Sequence, residues 1–173
     1  MGEHIKTSLL LAIVCIVSAA ALGYFYKLTT PIIEQRQISD QISLQREVLP
    51  QADDFKETKI DGENVYLGIS SGKIVGGVAK VDVKGYGGTI ELIVGIDSTG
   101  KITGVRVLSH SETPGLGEKA TKDNYLSQFI GKGSSEINTV RAITGATISS
   151  NAIRNGVNEG MQIVLKAMGS QKL

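Results

Sequence analysis

The sequence predicts an α+β fold, an antiparallel sheet flanked by helices, set behind a single N-terminal transmembrane helix. Three observations carry that expectation. An uncharged, largely aliphatic stretch runs from Thr7 to Tyr26. Short Val- and Ile-rich runs separated by glycine-containing turns fill the chain between Glu63 and Leu108. Finally, Ile153, Val157, Met161, Val164, Leu165 and Met168 recur every three or four residues, the signature of one helical face.

Taken in order, residues 1–6 form a short tail and 7–27 the anchor. About 20 apolar residues are needed to cross a bilayer core, and Leu9 to Val17 are almost purely aliphatic. Lys6 and Lys27 bracket the span, while Tyr24 and Tyr26 sit where an aromatic belt forms. Ala19-Ala20-Ala21 resembles a cleavage site, but the apolar run is longer than the ~7–15 residues of a signal-peptide core. Lys6 stands where a myristoylation signal needs Ser or Thr, and Ile13-Val14 ahead of Cys15 are too bulky for a lipoprotein box. Lys27 and Arg36 beyond the span offset Lys6 before it, with Glu3 and Glu34 nearby, so charge does not set the orientation. A single anchor ahead of a folded domain has the form of an uncleaved export signal. The expectation is a single-pass protein of the cell membrane with its main domain extracytoplasmic.

Residues 28–62 read as a juxtamembrane helix and linker. Thr30-Pro31 gives an N-cap and Pro at the first helical position; Ile38, Ile42 and Leu49 form a sparse stripe that ends near Pro50, and Gln51 to Gly62 is the linker. Residues 63–173 form the main domain, and about 110 residues suffice to bury a core without disulfides. Strands are expected at Val65–Ile69, Ile74–Val83, Thr89–Ile96 and Lys101–Leu108, with Asp97-Ser98-Thr99-Gly100 as a hairpin turn. Short turns between consecutive strands imply antiparallel pairing. After Gly117 a helix is expected through Glu118, Ala120, Tyr125, Leu126 and Phe129, stopping at Gly131. The last helix follows, capped by Ser149 or Ser150.

Composition removes several classes of function. Lys plus Arg number 18 against 17 Asp plus Glu, so no basic field points to nucleic acid. Trp is absent and aromatics are few, which argues against stacking on single strands. One cysteine and two scattered histidines give no metal cluster of recognisable spacing. No nucleophile–base pair stands out, so no catalytic residue is assigned.

Three motifs carry chemistry. Thr144-Gly145-Ala146-Thr147 lies at or just ahead of a helix N-terminus, where unpaired N–H groups and the positive dipole end suit a phosphate. Gly145 and Ala146 leave room for a bulky ligand, and a threonine hydroxyl there can hydrogen-bond a phosphate or be esterified by one. The same residues would also serve a plain capped turn. Between the last strand and the next helix lies Glu112-Thr113-Pro114-Gly115-Leu116-Gly117. Here Pro114 stiffens the loop, Gly115 and Gly117 let backbone amides approach a flat heterocycle, and Leu116 offers it an apolar surface. Glu112 and Thr113 can bond its polar edge, and Lys119 and Lys122 reach a phosphate or a developing negative charge. Gly85-Tyr86-Gly87-Gly88 can admit a ligand edge beside Tyr86, or simply bend the chain.

In this order behind one anchor, the three motifs resemble the covalent FMN-binding domain family. Within it they are more similar to the G subunits of the Rnf electron-transport complex than to the C subunits of the sodium-pumping NADH:quinone reductase. The resemblance covers nearly the whole chain. It implies FMN joined through a phosphoester to Thr147, with Thr144, Gly145, Ala146 and Ser149 around the linkage. It also implies an isoalloxazine ring against Glu112, Thr113, Gly115, Leu116 and Gly117; from the residues themselves, Tyr86 is the candidate beside a ligand edge and Lys119 the candidate cation near the ring's pyrimidine edge. The ester is made by a separate flavin transferase using FAD. Arg141 departs from the family, which usually carries an acidic residue at that position. The implied role is electron relay as a redox subunit of an ion-translocating ferredoxin:NAD oxidoreductase, without independent turnover, beside iron–sulfur and flavin subunits. A non-redox anchored scaffold and a free-standing extracytoplasmic flavin reductase are the alternative readings.

Overall fold

The structure, a computed structural model, describes residues 8, 9, 11, 12, 14–20, 22–24, 26, 42–60 and 62–170. These fall into two compact units, divided between residues 41 and 42. In the first, every described residue is helical. Among the described residues, no helix is long and apolar enough to cross a membrane. The expected flanking charges Lys6 and Lys27 and the Thr30-Pro31 helix start lie outside the described residues.

The second unit is built on a five-stranded antiparallel meander in sequential order. Its strands are β1 (Asp54–Ile60), β2 (Glu63–Ser70), β3 (Lys73–Lys84), β4 (Thr89–Asp97) and β5 (Ile102–His110). Lys84 pairs with Thr89 across the β3–β4 turn, and Ile90 pairs with His110 between β4 and β5. The four expected strands are present, and the α+β class holds. The expected linker, by contrast, contributes β1, which pairs along its whole length with β2. Phe55 is half-buried while Asp54, Lys56, Glu57 and Lys59 are exposed, and such charged edge strands discourage pairing with other chains. Their charges hide the alternation from a sequence reading.

The Asp97–Gly100 turn forms as expected. The Asp97 carboxylate accepts the Thr99 N–H at 2.8 Å, the Thr99 hydroxyl at 2.6 Å and the Lys101 N–H at 3.0 Å. Burial pushes this carboxyl up, but the three bonds outweigh it and hold it below the usual carboxylate range.

Two layers cover the sheet. On one face lies helix α3 (Thr147–Ser170), a 24-residue element whose Ile153, Val157, Met161 and Val164 are fully buried against Val81, Leu92 and Val94. Burying each such side chain contributes about 2 kcal/mol. On the other face, α1 (residues 42–48) ends just before Pro50, and Val48, Leu49 and Ala52 pack on Val78 and Ile93. β4 therefore sends Ile90, Leu92, Val94 and Ile96 to one core and Ile93 to the other, which is why it reads as a continuous apolar run. This strap, α1 with the residues up to Ala52, touches the sheet where side chains are absent. A Cβ at Gly95 would collide with the Val48 carbonyl, and one at Gly104 would lie 2.7 Å from Val48 Cα. The Thr103 hydroxyl donates to that same carbonyl.

The helix expected after Gly117 is broken into pieces: a 3₁₀ turn at Gly117–Thr121, the short α2 (Asp123–Leu126) and a second 3₁₀ turn at Ser127–Phe129. Lys122 interrupts them with extended backbone, φ −82° and ψ 152°. Tyr125 and Phe129 still reach the core as an edge-to-face pair, centroids 5.5 Å apart, and the Tyr125 hydroxyl donates to the Ser150 carbonyl at 3.1 Å.

Two predictions concern stability. Gly95→Ala should destabilise the fold by about 2 kcal/mol, the scale of core overpacking, measured by urea unfolding. Burial pushes the Tyr125 phenol above its ordinary value, against the bond to Ser150. A raised folded-state value means that stability is full below the unfolded value of about 10 and falls as pH rises through the folded one. Tyr125→Phe should flatten that alkaline loss in unfolding curves taken at neutral and alkaline pH.

Candidate functional site

The three sequence motifs meet at one end of the sheet. Ahead of α3, a turn is closed by the Ala146 N–H donating to the Ile143 carbonyl at 2.9 Å. Gly145, third in that turn, has φ of +82°, the left-handed conformation that a type II turn requires there. The first helical bond runs from the Ser150 N–H to the Ala146 carbonyl at 2.9 Å. The N–H groups of Thr147, Ile148 and Ser149 therefore have no acceptor one turn back.

Capping by Ser149 or Ser150 is corrected: α3 begins at Thr147, and both serines lie inside it. Their hydroxyls bind elsewhere. Ser150 Oγ accepts the Ile143 N–H at 3.1 Å, pinning the turn to the helix, and Ser149 Oγ donates to Glu112 Oε2 at 2.8 Å.

The loop after β5 bonds to itself. The Thr113 carbonyl accepts the Leu116 N–H at 3.2 Å and the Glu118 N–H at 3.3 Å. Gly115 N–H donates to Glu118 Oε2 at 3.1 Å. The Lys122 ammonium, and then this amide, hold the Glu118 carboxyl below its ordinary range. The result is a compact turn that holds Leu116 outward.

Tyr86, Leu116, Gly117, Gly145, Ala146, Thr147, Ile148 and Ser149 line an open cleft of about 350 Å³. Its apolar members Tyr86, Leu116 and Ile148 are 72 %, 52 % and 57 % exposed. Thr113, Thr144, Gly115 and Lys119 are exposed but do not line the cleft. Glu112 lies behind it, only 5 % exposed. Ile148 escapes the sequence reading, yet a signal exists: it lies five positions before Ile153, about 140° away from the core stripe. Another cleft, of about 360 Å³, is lined by side chains of both signs, among them Lys59, Lys80, Asp82 and Glu159, and holds none of the expected residues.

A family model described as FMN-binding domain matches residues 85–162, starting at the glycine before Tyr86 and taking in both loops and Thr147. Beyond that segment, the chain is 34 % identical over 171 residues to the G subunit of the proton-translocating ferredoxin:NAD(+) oxidoreductase complex of Clostridium ljungdahlii, covering 93 % of this chain and 91 % of that one. The chain belongs to the G-subunit family of ion-translocating oxidoreductase complexes. The G subunit of the Na(+)-translocating ferredoxin:NAD(+) oxidoreductase complex of Acetobacterium woodii is 34 % identical over 187 residues, with 91 % and 90 % of the two chains covered. Its counterpart in an ion-translocating oxidoreductase complex of Methanosarcina acetivorans is 34 % identical over 178 residues, covering 94 % and 95 %. The fold of this G-subunit homologue also matches the crystal structure of Shewanella oneidensis NqrC, with a TM-score of 0.51 at 21 % identity over 69 % of this chain and 72 % of that one.

The cleft of this G-subunit domain suits the group that its family model names. Exposed apolar side chains from three segments can flank a flat ring, and the start of a long helix offers unpaired N–H groups and a threonine hydroxyl to a phosphate. Leu116 and Ile148 contribute little to folding at their present exposure. Leu116→Ser and Ile148→Ser should each leave the unfolding free energy within about 0.5 kcal/mol of the parent, measured by denaturant titration.

Proposed function

We propose that this G-subunit homologue carries FMN esterified through its phosphate to Thr147, and relays electrons between redox centres of partner subunits in a membrane ferredoxin:NAD oxidoreductase complex. The observation that supports this best is the meeting of Thr147, at the start of α3, with Leu116 and Tyr86 in one cleft. Loading requires the Thr147 hydroxyl to displace AMP from the FMN phosphate of FAD, with a separate flavin transferase supplying the catalysis. Thr147 then acts as a tether. The N–H groups of Ile148 and Ser149 and the helix dipole favour the phosphate charge. Leu116, Tyr86 and Ile148 hold the ring and keep water from its faces, while Thr113 and Gly115 lie on the same loop beyond the lining. When bound, the isoalloxazine supplies the redox chemistry.

A tether fits a domain placed outside the cytoplasm, because it abolishes dissociation where free FMN is scarce. Anchoring is supported by the helical residues of the first unit. Leu9, Leu11, Val14, Ile16, Val17 and Leu22 are each more than half exposed, an arrangement suited to lipid. The reading is therefore a single-pass anchor at residues 7–27 with the FMN domain extracytoplasmic.

Co-expression with a flavin transferase, denaturation and ultraviolet inspection of the gel band test the assignment. The parent chain should fluoresce and Thr147→Ala should not. Fluorescence that persists in the variant would move the linkage to another hydroxyl, and a dark band from both would favour a non-redox scaffold. Arg141→Asp, which restores the acidic character the family usually has there, should raise the labelled fraction.

A further inference from the structure

We propose that Glu112 is a positioning residue that fixes the width of the cleft by tying its two walls to one carboxyl group. Its Oε1 accepts the Gly87 N–H at 3.2 Å, and its Oε2 accepts the Ser149 hydroxyl at 2.8 Å. Gly87 adjoins Tyr86 in the β3–β4 turn, and Ser149 lies two residues after Thr147 on α3. A single side chain therefore joins the turn that carries the exposed aromatic ring to the helix end that carries the acceptor hydroxyl. The Glu112 backbone N–H, which donates to His110 Nδ1 at 3.3 Å, ties the base of this residue to β5.

The surrounding chain is shaped around the carboxyl. A Cβ at Gly85 would collide with Oε1, and a Cβ at Gly117 would collide with Oε2 and lie 2.8 Å from Ser149 Oγ. Glycines in two of the three motifs are thus needed by Glu112, and not only by a ligand. With 5 % exposure and both oxygens turned to protein donors, this carboxyl supports the walls from behind instead of touching the ring. A buried carboxyl is tolerated when donors meet it, and the positive end of α3 favours it further. Removing it leaves two donors without their partner and frees the turn to move away from the helix.

The consequence for flavin rests on Thr147 being the attachment site, so the test has two arms. In full-length chain carrying Thr147→Ala, which lacks flavin on that reading, amide exchange at Gly87 reads the tie directly. Glu112→Ala should speed that exchange about ten-fold or more, with Val81, Leu92 and Val94 amides unchanged, while Glu112→Gln, which keeps an acceptor and the shape, stays close to the parent. Ser149→Ala, a milder change within a helix, should speed it by about three-fold. Unchanged exchange at Gly87 in Glu112→Ala and Ser149→Ala, or a rise shared equally by the core amides, would overturn the proposal. In flavinylated chain, fluorescence anisotropy of the tethered ring should fall in Glu112→Ala and return in Glu112→Gln; an unchanged value would overturn the role in holding the ring. If Thr147 carries no flavin, the second arm is dark in every chain, whereas the exchange arm still reads the tie.

Discussion

Helix α3 lies close on the sheet because Gly156 and Gly160 stand where it meets β3 and β4. A Cβ at Gly156 would stand 2.6 Å from Val83 Cγ1 and 2.7 Å from Leu92 Cδ1, and one at Gly160 would press Val81 and Val94 at 3.3 Å. The first would force a side chain or the helix to shift, and the second would make the valines give by a few tenths of an ångström. With that spacing set, the helix rise places the backbone of Thr147 about 13 Å along the axis from Gly156, beside the turn of Tyr86 and the loop of Leu116. The position of the Thr147 hydroxyl thus follows from packing in the middle of the domain. Motifs far apart in sequence can share a cleft because one rigid helix and one meander hold all three.

The same economy of side chains recurs on the opposite face. Val48 rests over Gly95 and Gly104, while Leu49 fills the space that Gly68 leaves open, its Cδ2 2.5 Å from where a Cβ would stand. A glycine in a strand loses packing and costs backbone entropy. Here the loss is offset by a second core, which lets β3 and β4 be buried on both sides.

Much of this was legible in the chain itself. Strands β2 to β5 announce themselves by Val and Ile runs broken at Gly72, Gly88 and Gly100, and the face of α3 by its three- and four-residue spacing. The three motifs were legible as candidates because each pairs small residues with one group that can do chemistry. What escaped does so for physical reasons. β1 is an edge strand whose lysines and acids belong to solvent, so its charge mimics a linker. The segment after Gly117 has enough apolar residues for a helix but not at a constant interval, and Lys122 breaks it. Ser149 and Ser150 look like caps because local sequence cannot distinguish a hydroxyl that bonds its own helix from one that bonds a carboxyl 37 residues away. Glu112, read from the sequence as a group for a ligand's polar edge, is buried and accepts bonds from the Gly87 N–H and the Ser149 hydroxyl.

The strap over the glycine floor also gives the domain a load path. Tension arriving from the preceding chain enters at residue 42 and meets α1, where Glu47 is held by Arg106 at 2.6 Å, and then Val48, seated across β4 and β5. The strap is held there by packing over the two glycines and by the Thr103 hydroxyl on the Val48 carbonyl. The cleft belongs to the α3 side of the sheet, so the strap and the cleft lie on opposite faces.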